Sequence, residues 1–381
     1  MIFTFTDEQR ELAATLRRFL QDKSPSAEVR RLMQTEEGYD QQTWAQLAGQ
    51  LGLPGLVVPE KYGGSGAGPV ELAIACEEMG RALLCAPYFA TAVLAVHALL
   101  ASGDQAAQEE FLPALADGTS IATLAVCEDD GAWTTSGLRT RARRCADGYL
   151  LDGRKSFVLD GHTADLLLVV AQADGGPSLF AVPGGGDGLA RRPLDTLDMT
   201  RKQAVLSLDG VPARLVGAEG SAADVVGRTV RLAAVALAAE QVGGAQRCLD
   251  MSVEYAKIRM QFGRPIGSFQ AIKHMCADML LEVESARSAA YYAAWTAEEQ
   301  SDELPLVASL AKACCSEAYF RAAADNIQIH GGIGFTWEHD AHLYYRRAKS
   351  TELMLGTPSE HREIAAGYLI DGAPGSAHPR A

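Results

Sequence analysis

The chain has 381 residues, and at about 150 residues per domain that length predicts two or three packed domains and excludes a peptide or lone module. Lys and Arg number 34 against 48 Asp and Glu, a formal charge of −14, which favours solubility and argues against a nucleic-acid partner, whose phosphates would be repelled. With 48% hydrophobic and 22% charged residues, the composition is globular rather than disordered.

Residues 1–119 read as an α-helical domain. Thr6 and Gln9 form a capping-box pattern ahead of Leu12, Leu16 and Leu20. A second helix, about Gln42 to Leu51, stops at Gly52, and Leu53 to Glu60 leads into the Gly63-Gly64-Ser65-Gly66 loop. Helices resume at about Pro69–Leu84, Tyr88–Ala101 and Gln105–Ala116. The apolar run Phe89–Ala101 contains His97 and is too short for the roughly 18–20 residues of a membrane span. Met1–Glu11 carries Asp7, Glu8 and Glu11 without a basic start and apolar core, so no secretory leader and a cytoplasmic location are expected.

From about residue 120 to 225 the pattern changes. Tyr149–Leu151, Leu166–Ala171, Leu179–Val182 and Ala204–Leu208 are short apolar or alternating runs, separated by turns such as Asp147-Gly148, Asp152-Gly153 and Asp209-Gly210. No helix of useful length intervenes, so an antiparallel barrel or sandwich is predicted rather than a parallel nucleotide-binding sheet. Residues 226–369 are helical again. Leu232, Val235, Ala239, Val242, Leu249 and Val253 keep one face of a long helix apolar. Gly263 and Pro265 can stop it; Ser268 can cap a second helix, Leu306–Ile329 a third ended by Gly331-Gly332, and about Asp340–Leu369 a fourth. Residues 370–381 are expected to fray.

Eight scattered cysteines form no C-x-x-C pair and no zinc spacing, so reduced thiols and no metal site are expected. Phosphate-loop, dinucleotide, zincin and nucleophile-elbow motifs are missing, and Gly184–Gly188 reads as a plain turn. The most informative stretch runs from Tyr255 through Arg259-Met260-Gln261-Phe262-Gly263-Arg264-Pro265 to Gln270, a helix end, a corner and a new helix. Such a corner can offer a guanidinium to a pyrophosphate and an aromatic face to a ring, or be a plain helical hairpin.

This stretch resembles the flavin-binding corner of the acyl-CoA dehydrogenase family, as do Gln328-Ile329-His330-Gly331-Gly332-Ile333-Gly334-Phe335 and, in the first domain, Pro54–Gly64. The order helical, β, helical matches too, over nearly the whole chain. The resemblance implies an α+β fold with an N-terminal helical domain, a middle antiparallel β domain and a C-terminal four-helix bundle. It implies FAD held between subunits of a dimer of dimers, with Arg259, Phe262 and Gln270 facing a neighbour's cofactor and Gln328–Gly332 approaching the same flavin through backbone amides. It further implies an acyl-CoA thioester substrate, an electron-transfer flavoprotein or similar acceptor, and a homotetramer or a heterotetramer with a homologous chain.

The departures from the family pattern lie where the chemistry is done. A glutamate base precedes a Gly-Thr pair in many members, but Leu355 stands there. In a second group it lies at the start of the long bundle helix, where an ungapped count places Ala233, with Ala234 in place of the usual arginine. In the β domain Cys127 takes a threonine's place, and Phe157 can still stack on a flavin, but Leu159 cannot donate a side-chain hydrogen bond. Glu240 is the only charged residue between Arg231 and Arg247. It is either a desolvated substitute base or a structural carboxylate. His330 can contact cofactor or thioester or be a polar loop residue; His339 and His342 lack a third ligand for a metal; Arg346, Arg347 and Lys349 form a basic run that can face a nucleotide phosphate or solvent. Two readings follow: an FAD-dependent dehydrogenase using Glu240, or a non-catalytic subunit lending half of an FAD site to a partner, in fatty-acid or steroid side-chain oxidation.

Overall fold

The computed structural model describes residues 4–146 and 148–371; Asp147 of one expected turn and most of the expected fraying tail lie outside them. Along the chain, α1 (Asp7–Lys23), α2 (Ser26–Leu32), α3 (Gln41–Leu51) and α4 (Pro69–Arg81) come first, a π-helical stretch Phe89–Ala95 runs into α5 (Val96–Ser102), and α6 (Gln105–Ala116) follows. The Thr6 capping box forms as its sequence predicts, with Gln9 N–H donating to Thr6 Oγ1 at 3.2 Å and Gln9 Oε1 accepting from Thr6 N–H at 3.0 Å. The strands are β1 (Ala122–Ala125), β2 (Arg141–Cys145), β3 (Gly148–Leu159), β4 (Leu166–Ala173), β5 (Gly176–Pro183), β6 (Leu189–Pro193) and β7 (Gln203–Val216). Last come α7 (Ala222–Ile258), α8 (Gln270–Glu298), α9 (Leu304–His330), α10 (Ala341–Leu353) and α11 (Pro358–Asp371).

These elements form two compact units that interleave in sequence. One contains Met1–Ser26, Pro69–Leu84 and Ala234–Ala381, the other Ala27–Gly68 and Cys85–Ala233. In the second, β4, β2, β3, β7 and β5 close on themselves through the β4–β5 pairing, a barrel in which β1 joins β4 and β6 joins β7. The antiparallel expectation holds for most pairs, but β1–β4 and the single β2–β4 contact are parallel. β4 is buried almost throughout because both its faces are covered.

In the first unit α9 packs against α8, α10 and α11, and α4 against α1 and α8. α4 also crosses α7 at backbone contact: a Cβ on Gly243 would stand 1.8 Å from Glu77 O, and one on Gly80 2.0 Å from Glu240 O. The expected fourth helix is two, α10 and α11. Leu355 (φ 63°) and Gly356 (φ 105°) turn the chain between them through the left-handed region. Ser268 does not cap α8; Phe269 holds that position and Ser268 Oγ donates to Pro265 O.

Candidate functional site

α7 ends at Ile258, and a two-rung hairpin pairs Met260 with Pro265 and Gln261 with Arg264. Its tip, Phe262 (φ 51°) and Gly263 (φ 77°), has two successive left-handed residues, as a tight hairpin turn requires. Glycine adopts that geometry freely, whereas a phenylalanine pays about 1–2 kcal/mol for it. Phe262 is nonetheless 91% exposed, so packing within the chain does not account for it. Among the described residues its ring neighbour is Phe269, edge-on at 6.0 Å, which Arg264 covers at 4.1 Å. Arg259 is exposed and makes no ion pair among the described residues, and exposed Gln270 opens α8, whose N-terminus has no side-chain cap. A guanidinium without an ion pair among the described residues and a helix N-terminus without a side-chain cap each suit a phosphate group.

The second segment is locked beside the first. Tyr255 of α7 stacks on His330 of α9 with ring centroids 4.3 Å apart, and Ser252 Oγ donates to Asn326 Oδ1 at 3.0 Å. His330 ends α9 as a buried residue, with Nδ1 2.8 Å from Asn326 O and its other face on His339 at 4.3 Å. Burial pushes its pKa below the usual imidazole value. His330 is therefore a packed strut, not the polar loop residue that its sequence also allowed. Gln328, Gly331 and Gly332 are exposed. Gly331 needs glycine for its φ of 63°, but Gly332 has an ordinary φ and nothing within 4 Å of where a Cβ would lie. Neither conformation nor packing within the chain explains Gly332.

Phe157 belongs to the other unit, on β3 with φ 57° and 42% exposed. The side chains around it supply structure. Ser156 Oγ donates to Asp129 at 2.7 Å; Cys127 is buried, which pushes its thiol up to about 12; Leu159 is buried. Beneath them Glu128 accepts from Arg139 N–H (2.9 Å), Thr140 N–H (2.9 Å), Thr140 Oγ1 (2.7 Å) and the wholly buried Lys155 ammonium (3.0 Å). Burial alone would raise the Glu128 pKa, but these donors outweigh it and hold it at about 2.

None of the proposed base positions presents a free carboxylate. Leu355 and Ala233 are buried apolar residues. Glu240 Oε1 lies 3.1 Å from Arg347 Nη1, and both side chains are shut away, 5% and 2% exposed. Arg347 is thus neither the solvated nor the phosphate-facing residue of its basic run; Arg346 covers Trp337 at 4.7 Å and Lys349 pairs with Glu352 at 3.1 Å. The sequence reading missed this pairing, although a lone glutamate in an apolar helix already demands a buried counter-ion. Among the described residues, no cluster of three or more His, Cys, Asp or Glu could hold a metal, and no helix is long and apolar enough to cross a membrane.

Residues 6–119 match the family model for the acyl-CoA dehydrogenase N-terminal domain, and residues 223–369 that for the acyl-CoA dehydrogenase C-terminal domain. The chain belongs to the acyl-CoA dehydrogenase family. It is 37% identical over 354 residues to acyl-CoA dehydrogenase IpdE2 of Mycolicibacterium smegmatis, covering 93% of this chain and 96% of that protein. Among solved structures it is similar to the ChsE4-ChsE5 complex from Mycobacterium tuberculosis (31% identity, TM-score 0.88, 97% of this chain and 99% of that one). It is also similar to the Tcur3481-Tcur3483 steroid ACAD (31% identity, TM-score 0.86, 96% and 99%). Acyl-CoA dehydrogenases are FAD flavoproteins, and the exposed corner of this member, with its open glycines, free guanidinium and unpacked aromatic ring, fits such a group.

Proposed function

We propose that this chain is a base-lacking subunit of a heteromeric acyl-CoA dehydrogenase, lending its corner to an FAD bound chiefly by a homologous, base-bearing partner. The observation that carries this reading is the pairing of Glu240 with Arg347: the carboxylate best placed by sequence to be a substitute base is committed to a buried ion pair. The intact corner and the ChsE4-ChsE5 complex among its neighbours support the same reading.

FAD, when bound, supplies the oxidant for dehydrogenation of the acyl thioester. In this assignment the Arg259 guanidinium holds pyrophosphate oxygens, Phe262 covers a ring and excludes water from it, and Gln270 and Gln328 offer amides. Gly331 and Gly332 let backbone N–H groups approach closely. Phe157 in the chain's own β domain remains able to stack, but Cys127 and Leu159 supply no hydroxyl donor there. Removal of the substrate's α proton falls to a carboxylate of the partner. The steroid ACAD among the neighbours suggests a bulky, ring-bearing acyl thioester, with electrons passed to an electron-transfer flavoprotein or similar acceptor in a heterotetramer. The test is flavin stoichiometry: co-expression with a base-bearing homologue should give bound FAD that Arg259→Ala in this chain depletes. Full flavin content in the Arg259→Ala complex would overturn the corner's role.

A further inference from the structure

Lys312, on α9, is wholly buried, an unusual place for an ammonium. Its Nζ lies 2.9 Å from Ser316 Oγ, 3.2 Å from Glu352 O and 3.2 Å from Gly356 O. Three donors meet three acceptors. Glu352 and Gly356 bracket the C-terminal end of α10, where helix carbonyls lack partners and the dipole is negative, so the ammonium does what a C-terminal cap does. The turn it grips is the left-handed Leu355-Gly356 pair. On the far side, His361 Nε2 lies 3.0 Å from Leu355 O, and Thr357 and Glu360 cap α11 reciprocally, at 2.7 and 3.3 Å.

We propose that Lys312 is the positioning residue for the Leu355-Gly356-Thr357 turn, and that its hold on that turn is proton-linked. Cys315 and Ser316 on α9, Gln241 on α7 through Ser316 (3.0 Å), Glu352 on α10, and Glu360 and His361 on α11 face it. Burial pushes Lys312 down to about 7 despite the opposing pull of Cys315, Glu352 and Glu360. Burial first and then the Lys312 charge push His361 down to about 4. Loss of the Lys312 proton leaves two N–H donors for the Ser316 hydroxyl and the two carbonyls and takes the charge assistance from both carbonyl bonds, so the hold on the turn weakens.

Two opposite signs follow, which separates this role from simple packing. An unfolded chain keeps the lysine proton to about 10.5. Between about pH 7 and that value the unfolded state binds more protons, so global stability rises with pH. Over the same interval the turn itself loosens. The proposal stands on the geometry of α9, α10 and α11 and is independent of the flavin reading.

Hydrogen–deuterium exchange of the full chain, corrected for the intrinsic pH dependence of exchange, tests it. Peptides spanning 350–362 should lose about tenfold in protection between pH 6 and 8.5, the scale of a charge-assisted bond becoming a neutral one, while peptides from 234–250 do not. Lys312→Met should show low, pH-independent protection of the turn. Glu360→Gln, which keeps the cap but removes a charge favouring the ammonium, should move the step to lower pH; if Lys312→Met fails to fold, the wild-type step and this displacement decide alone. Flat protection in the wild type, or an undiminished step in Lys312→Met, would overturn the proposal.

Discussion

Replacing Arg347 by methionine removes the guanidinium and keeps most of the side-chain volume. Glu240 is then left in a site where it is 5% exposed, at the crossing where Gly80 and Gly243 bring the backbones of α4 and α7 into contact. Breaking one side of such a buried pair costs about 3–5 kcal/mol, because the remaining carboxylate stays buried without its counter-ion. For a unit of this size that lowers Tm on the order of 10 °C. The double variant Glu240→Leu/Arg347→Met removes both charges and should recover most of the loss, since an apolar pair of similar volume carries no desolvation penalty. Urea denaturation of these three proteins and of Glu240→Leu, the fourth member of the cycle, measures the coupling directly. A single-variant loss under about 1 kcal/mol without recovery in the double would refute the strut assignment. Glu240→Gln keeps an acceptor oxygen for Arg347 and should leave turnover of the partnered enzyme intact; lost turnover with unchanged stability would restore Glu240 as the base.

Arg259→Ala should weaken flavin retention about 10- to 100-fold, the worth of one charge-assisted hydrogen bond, read from FAD released on dilution; unchanged retention would remove Arg259 from the corner. Phe262→Ala should leave the isolated chain's stability within about 0.5 kcal/mol, or raise it by relieving strain, yet lower flavin content or subunit association. A large stability loss would show that Phe262 packs within its own chain. Glu128, held at about 2 against an ordinary value of 4.5, stabilises the fold fully above pH 4.5, and that contribution is lost as pH falls towards 2. Thr140→Val deletes one donor and should move the acid-unfolding midpoint to higher pH; an unmoved midpoint would mean that the Thr140 hydroxyl contributes nothing to the lowered value.

The elements that announce themselves locally were legible in the sequence. The Thr6 capping box and Gly52 as the stop of α3 (φ 62°) follow from short-range rules and appear where they were expected, whereas α7 is buried on all sides from Ala233 to Ala245 rather than along one apolar face. The split between α10 and α11 was not: Leu355 adopts a left-handed conformation that a leucine does not signal, held by Lys312 and His361 from other helices. The parallel β1–β4 pairing is likewise a long-range choice invisible to periodicity. At the site, the exposed corner could be read from its motif, whereas the meaning of Glu240 depended on Arg347, 107 residues away. Of the glycines after Glu240, Gly243 meets the backbone of α4 and Gly244 the Tyr319 ring of α9, contacts that no local pattern announces.

The measurement closest to the central claim is the visible spectrum of this chain purified alone and with a base-bearing homologue, each before and after anaerobic addition of a panel of acyl-CoA thioesters. The account predicts a chain that is colourless alone and a yellow complex that bleaches with substrate. A flavin retained by the chain alone and bleached by an acyl-CoA would contradict it.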